Sequence, residues 1–399
     1  MRFSCSLPKG LPPFLTPMFH NYNFTNKRVL LRTDFNVAIK NNRVIDDFRI
    51  QKFLQTIFFL RKAKAKIIIL SHLSEKKSSL SPVAQKLSEL LRDKVLFIKT
   101  TNKFFLSQAL KKIKPGEVAL LENLRLNPGE ETGDLKFAKK LALLGDVFVQ
   151  DSFSVCHRSH SSVVLLPKLL PTLPGPNLQE ELNILSRLRD NPPRPLVVII
   201  AGAKIESKTR VIEKFLKTAD HLLLAGEIAN MILTIKGLAL GERFPQDEKL
   251  ARVIEQINLT DKKIYLPLDV LVSSDKNGKD FLRQTAPGKV RAKEQVFDIG
   301  GETIKLFSDI IALAGSIFWA GPLGLFEKPG FAGGTEAIAQ AIAGSKAKVK
   351  AAGGGETIAA IRKFGFSSGF SFLSTGGGAM LEFLAGDNLP GLVALGLGM

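Results

Sequence analysis

A repeated alternation restricts the fold of this chain more than any other feature. Short, nearly unbroken runs of Val, Ile and Leu alternate with amphipathic stretches from one end to the other. The apolar runs are Val29–Arg32, Lys66–Leu70, Val95–Ile98, Val118–Leu121 and Val147–Val149, then Leu196–Ala201, His221–Leu224, Lys263–Leu266, Ile317–Trp319, Val349–Ala352 and Ser371–Leu373. A strand that is apolar at nearly every position has both faces buried, as in a parallel sheet covered by helices on either side. Helical spacing fills the intervals at Asp47–Arg61, Pro82–Leu91, Leu135–Leu143, Val211–Leu216 and Ile304–Leu313. Parallel neighbours need crossover connections, so the pattern predicts an α/β chain.

At 399 residues the chain exceeds one ordinary core, and its mid-section supplies a boundary. The proline- and glycine-rich string Leu170–Asn177 precedes a helical stretch, Leu178–Leu188, and a second proline cluster at Pro192, Pro193 and Pro195. That reads as turn, linking helix, turn. The expected organisation is an irregular extension over 1–20, a first domain over 21–176, a linking helix over 177–190 and a second domain over 191–375. A C-terminal segment, 376–399, is expected to return toward the first domain. The predicted fold class is two doubly wound, Rossmann-like parallel-sheet domains facing each other across a hinge.

Several function classes are disfavoured. No apolar run reaches the ~18 residues of a membrane span, and the longest, Leu222–Leu240, is interrupted by Glu227, Asn230 and Lys236. Prolines at 8, 12, 13 and 17 break any signal-peptide core. Two cysteines, Cys5 and Cys156, make neither a disulfide framework nor a CxxC pair, which fits a reducing, cytoplasmic setting. The net charge of +19 raises nucleic-acid binding, but the lysines are spread along the chain without interleaved aromatics. A basic surface around a site for small anions explains the charge better, and neither nucleic acid nor membrane is expected as a partner.

In parallel sheets chemistry collects in the loops that follow the strands. In the first half these loops carry Arg32, Asp34 and Asn36, then Ser71 and His72, then Glu122, Asn123 and Arg125, then His157, Arg158 and His160, with Arg49 opening a helix. Each arginine alone reads as a surface or ion-pair residue. Together at strand ends they suit a ligand with phosphate and carboxylate groups, which guanidinium forks bind in pairs of hydrogen bonds. Asp34 and Asn36 can take its hydroxyl. In the second half the same positions turn glycine-rich: Gly202-Ala203-Lys204 with Lys208, then Gly353-Gly354-Gly355-Glu356-Thr357, then Gly376-Gly377-Gly378. Such loops bring backbone N–H groups and a helix N-terminus to phosphate oxygens. Neither triplet completes GxGxxG, and no GxxxxGK[ST] string occurs, so a dinucleotide site and a P-loop are both disfavoured. An anion-binding half and a nucleotide-binding half fit phosphoryl transfer, which depends on positioning and charge neutralisation.

The strings RTDFNV (32–37), DDFRI (46–50), SHL (71–73), PGEVALLENLRLNPGEE (115–131) and QDSFSVCHRSHSS (150–162) resemble motifs of the phosphoglycerate kinase family. So do AGAKIESK (201–208), LPLDV (266–270), DIGGET (298–303), WAGPLGLFE (319–327) and STGGGAMLEFLAG (374–386). The resemblance implies 3-phosphoglycerate and 1,3-bisphosphoglycerate as substrates, ADP/ATP as nucleotide, Mg2+ as cofactor and a monomeric, glycolytic enzyme. It implies a substrate site of Arg32, Asp34, Phe35, Asn36, Arg49, His72, Leu73, Arg125 and Arg158. It implies a nucleotide site of Gly202, Ala203, Lys204, Lys208, Gly226, Pro322, Glu327, Gly353, Gly354, Gly355, Glu356 and Thr357. Arg49, Lys204 and Gly376–Gly378 are implied to act on the transferring phosphoryl group, and Glu356 to serve the metal.

The chain also departs from the family pattern. Glu75 stands where the family's HLGR has its arginine, with Lys76 and Lys77 as neighbouring substitutes. Glu356 replaces an aspartate, Glu227 a glycine and Ala320 an asparagine. These changes define the alternative reading: a weakened family member that binds 3-phosphoglycerate with altered nucleotide or metal binding.

Overall fold

A computed structural model describes residues 16–75, 77–99, 112–202, 208–237, 261–279 and 281–398. Two compact units account for them, one over 1–183 and 388–399, the other over 184–387. The division falls inside a helix, Pro176–Asp190.

The first unit is built on β1 (Arg28–Arg32), β4 (Lys66–Leu70), β5 (Val95–Ile98), β6 (Val118–Leu121), β7 (Val147–Gln150) and β8 (Thr172–Pro174), with a short hairpin of β2 (Ile39–Lys40) and β3 (Arg43–Val44). The six-stranded sheet is parallel and ordered β5-β6-β4-β1-β7-β8. Alternate residues face opposite sides of a strand. Val29 and Leu31 of β1 join Ile67 and Ile69 of β4 in one core with Phe53 and Ile57, whereas Leu30, Ile68 and Leu70 join Phe137 and Leu141 in another. Both faces are buried, which is why these strands read as continuous apolar runs.

Two local readings need correction. The string Leu170–Asn177, read as a connector, contains β8, which pairs with β7 through Phe148↔Thr172, Val149↔Leu173 and Gln150↔Pro174. An edge strand donates to one neighbour only, so Pro174 is tolerated there. The helix expected over Asp47–Arg61 is two helices, Phe48–Lys52 and Leu54–Lys62, separated at Phe53, whose amide donates to Ile50 O.

The second unit carries β9 (Leu196–Ile200), β10 (His221–Leu224), β11 (Ile264–Tyr265), β15 (Ser316–Ala320), β16 (Val349–Gly353) and β17 (Phe372–Ser374) in a second parallel sheet, ordered β11-β10-β9-β15-β16-β17. Counted in chain order within that sheet, this is 3-2-1-4-5-6, the doubly wound arrangement. A separate antiparallel sheet of β12 (Val270–Ser273), β13 (Arg283–Thr285) and β14 (Gln295–Ile299) has no counterpart in the sequence reading. Among the described residues no helix is long and apolar enough to cross a membrane.

Candidate functional site

In a doubly wound sheet the chain leaves a crevice where strands on either side of one strand depart in opposite directions. In the first unit that point lies between β1 and β7. Asp34, just after β1, is 2% exposed and is bridged to the loop after β7 by the Ser154 hydroxyl, which donates to Asp34 Oδ2 at 2.5 Å. Arg49, at the start of its helix, forms an ion pair with the same carboxylate. Burial alone would raise this carboxyl, but the Arg49 guanidinium, with hydrogen bonds from Ser154 and the Asn36 amide, outweighs it and brings it down to about 2.

The loop after β4 closes on the same place. Ser74 N donates to Asn36 Oδ1 at 2.8 Å and Asn36 Nδ2 to Ser74 Oγ at 2.7 Å. His72 is buried, and its pKa is held well below the ordinary value by burial and by Arg32. Arg125 is within electrostatic reach of Arg32, Asp34, His72 and Arg158. His157 and His160 are both lowered to about 4, by burial first and then by Arg158 and Arg125 respectively. The histidines are therefore neutral at physiological pH, and the positive charge of the cluster comes from its arginines. The Nδ1 atoms of His157 and His160, and Arg125 Nε, are buried without a hydrogen-bond partner.

Thus Arg32, Asp34, Asn36, Arg49, His72, Arg125 and Arg158 are gathered in one region of one unit. Phe35 and Leu73 belong to the same loops, with their side chains in the apolar core and their amides donating to Ser71 Oγ and Asn123 Oδ1. Glu75 is exposed on the same loop, and Lys76 lies outside the described residues. Glu130, Ser154 and Ser162 complete the region and were missed from sequence, because nothing in their local pattern distinguishes them from surface residues.

In the second unit the crevice falls between β9 and β15. A cavity of about 490 Å3 opens there, lined by Gly202 after β9, Pro322 and Leu323 after β15, Gly226 and Glu227 after β10, and by Glu327 and Glu356. Asp298 and its neighbours on β14 form another wall, so the antiparallel sheet shapes the cavity. Burial raises the Asp298 carboxyl to about 7, against the Gly334 and Ile299 amides that donate to it. Gly321 is at φ +102, and a Cβ there would sit 1.9 Å from Ala201 O, so only glycine allows β9 and β15 to end this close together. Its amide donates to Thr357 Oγ1 at 2.7 Å, which ties this loop to the helix Gly355–Lys363.

Lys208 is 7% exposed, and its ammonium donates to Ala201 O. Glu227 is raised by burial and by Glu356, and opposed by Lys208. Gly353 ends β16, and Gly354 and Gly355 lead into a helix whose first turn bears Glu356 and Thr357. Gly376 and Gly377 precede the helix that starts at Gly378. Gly378 borders a smaller hollow with Arg210 and Asp387 and is absent from the lining of the larger cavity. Ala320 is buried at the end of β15. Ala203 and Lys204 lie outside the described residues.

Fold and site together define a two-unit α/β protein with a cluster of arginines around buried Asp34 in one unit and a glycine-framed, acid-lined cavity in the other. The family model of phosphoglycerate kinase matches residues 19–387. Phosphoglycerate kinases of Thermomicrobium roseum and Desulfosudis oleivorans are 38% and 40% identical over 378 and 381 residues, each covering 92% of this chain and 96% of the relative. The solved phosphoglycerate kinases of Coxiella burnetii (37% identical, TM-score 0.81, 94% and 97% of the two chains) and Pyrococcus horikoshii (33%, 0.85, 94% and 98%) share the fold. The chain belongs to the phosphoglycerate kinase family.

Proposed function

We propose that this chain transfers a phosphoryl group reversibly from 1,3-bisphosphoglycerate to ADP, giving 3-phosphoglycerate and ATP, as a monomeric cytoplasmic enzyme of glycolysis. The observation that carries the reading is the convergence of Arg49, Arg125 and His72 on Asp34, with Arg158 acting on Arg125. Guanidinium groups there would take the phosphate and carboxylate of the three-carbon acid, and Asp34 and Asn36 its hydroxyl. We assign the nucleotide to the second unit: base and ribose to the cavity with Gly226, Pro322 and Glu327, phosphates to Gly202, Lys208 and the turn Gly353–Thr357. Lys204 and Gly376–Gly378 are assigned to the group in transfer, where an ammonium and helix-terminal amides offset its charge.

Glu356 fits a magnesium site. It is a carboxylate on the cavity wall at a helix N-terminus, and magnesium in such enzymes is held by one or two carboxylates together with substrate phosphates. Bound there, the ion would neutralise phosphate charge. No general base is needed, because the carboxylate of 3-phosphoglycerate is already an ionised nucleophile in the direction of ATP use. Transfer then requires that the two bound ligands be brought into line with water kept out.

Calorimetric titration tests the assignment. The intact chain should bind 3-phosphoglycerate and, separately, Mg·ADP, and Arg125→Ala should weaken the first about tenfold or more and leave the second unchanged. Binding of 3-phosphoglycerate without measurable affinity for Mg·ADP would instead support the weakened alternative.

A further inference from the structure

Arg32 is the largest fully buried charged side chain in the first unit, and nothing assigned so far explains why it is shut away from solvent at 0% exposure. Its partners account for every edge of the guanidinium. Nε donates to Ser162 Oγ at 2.9 Å, and NH1 donates to Thr33 O at 2.5 Å. NH2 lies 3.9 Å from Glu130 Oε1, in an ion pair whose two side chains are both fully buried. Glu130 is itself fixed by the Ser162 amide at 3.0 Å and the Ser162 hydroxyl at 2.5 Å. The remaining edge faces His72: NH1 and NH2 lie 3.4 and 3.3 Å from His72 Nδ1.

A guanidinium has only donors, so His72 Nδ1 must accept. An imidazole that accepts at Nδ1 carries its proton on Nε2. A protonated ring would set an N–H at Nδ1 against the Arg32 N–H groups, so the same contact excludes the imidazolium. We infer that Glu130 and Arg32 are positioning residues that lock His72 as the neutral Nε2–H tautomer, leaving that N–H as its one donor for an anionic oxygen of the substrate. Asp34, Arg49 and Arg125 are the other charged groups acting on the ring. The lowered His72 pKa, caused by burial and then by Arg32, agrees with a neutral ring. In this role Arg32 acts through His72. Glu130 keeps the buried arginine from standing as an uncompensated charge. The substrate half of the inference rests on the proposed function, whereas the tautomer does not.

Nitrogen NMR of the isotope-labelled full chain reads the tautomer directly, with the His72 signals identified by their loss in His72→Gln. At neutral pH Nδ1 should show the shift of an unprotonated ring nitrogen and Nε2 that of a protonated one. A majority Nδ1–H form, or an imidazolium, overturns the inference even if the chain is an active kinase. Glu130→Gln should give mixed tautomers and raise KM for 3-phosphoglycerate about tenfold, with kcat within about twofold. An unaltered tautomer and KM in that variant would remove Glu130 from the role. If Glu130→Gln does not fold, the wild-type spectrum alone decides the tautomer.

Discussion

Asp34 owes its acidity to its neighbours, and that makes its contribution to stability measurable. Burial works to raise the carboxyl, but the Arg49 guanidinium and the Ser154 hydrogen bond hold it at about 2, against an ordinary 3.8. A carboxyl depressed in the folded state stabilises fully above its unfolded pKa and loses that contribution as pH falls through the folded one. The difference corresponds to about 2 kcal/mol at neutral pH. Asp34→Asn should therefore lower the unfolding free energy in urea by about 2 kcal/mol at pH 7, with the gap closing as the pH approaches 2. A gap independent of pH would show that the pairing is not what stabilises this loop. Arg32, His72, Arg125 and Arg158 were legible because they stand at or shortly after the ends of apolar runs, where a parallel sheet exposes its loops, and Arg49 because it opens a helix near them. Glu130 and Ser162 were not, since their partner Arg32 is on a strand about 100 residues or more away and only the fold brings them to it. Phe35 and Leu73 stand inside family motifs, and their side chains are buried in the apolar core.

Among the elements, strands were the easiest to read. Each apolar run became a parallel strand, because burial on both faces leaves a continuous signature. The exceptions are physical. β8 is an edge strand short enough to accept Pro174, so its composition reads as a turn. The antiparallel β12, β13 and β14 carry polar residues such as Arg283, Gln284, Gln295 and Asp298, which hide them among loops. One wall of the cavity was therefore invisible, although the glycines that frame it were plain. The junction of β9 and β15 depends on Gly321, at φ +102 with no room for a Cβ beside Ala201 O. Gly321→Ala should destabilise the chain by about 3 kcal/mol or more. Gly344→Ala, at a position with nothing within 4 Å of the added carbon, should stay near wild type. Thermal unfolding of the two variants checks this, and equal midpoints would contradict the close approach of the two strand ends.

For the molecule as a whole, the division of labour is between charges. One unit concentrates guanidinium groups on an acidic anchor, and the other frames a cavity with glycines and carboxylates. The excess of 56 basic over 37 acidic residues fits a chain whose ligands are all anions, although most of those lysines lie outside the site. Glu75 takes the place of one arginine of the family pattern, but Arg32, Arg49, Arg125 and Arg158 are all kept, so a working enzyme is expected. Turnover of 3-phosphoglycerate with ATP and Mg2+, followed by a coupled assay on the purified chain, tests this most directly. Sustained turnover is expected, reduced by orders of magnitude in Lys204→Ala; turnover no greater than that of the Lys204→Ala control would contradict an active phosphoryl transfer.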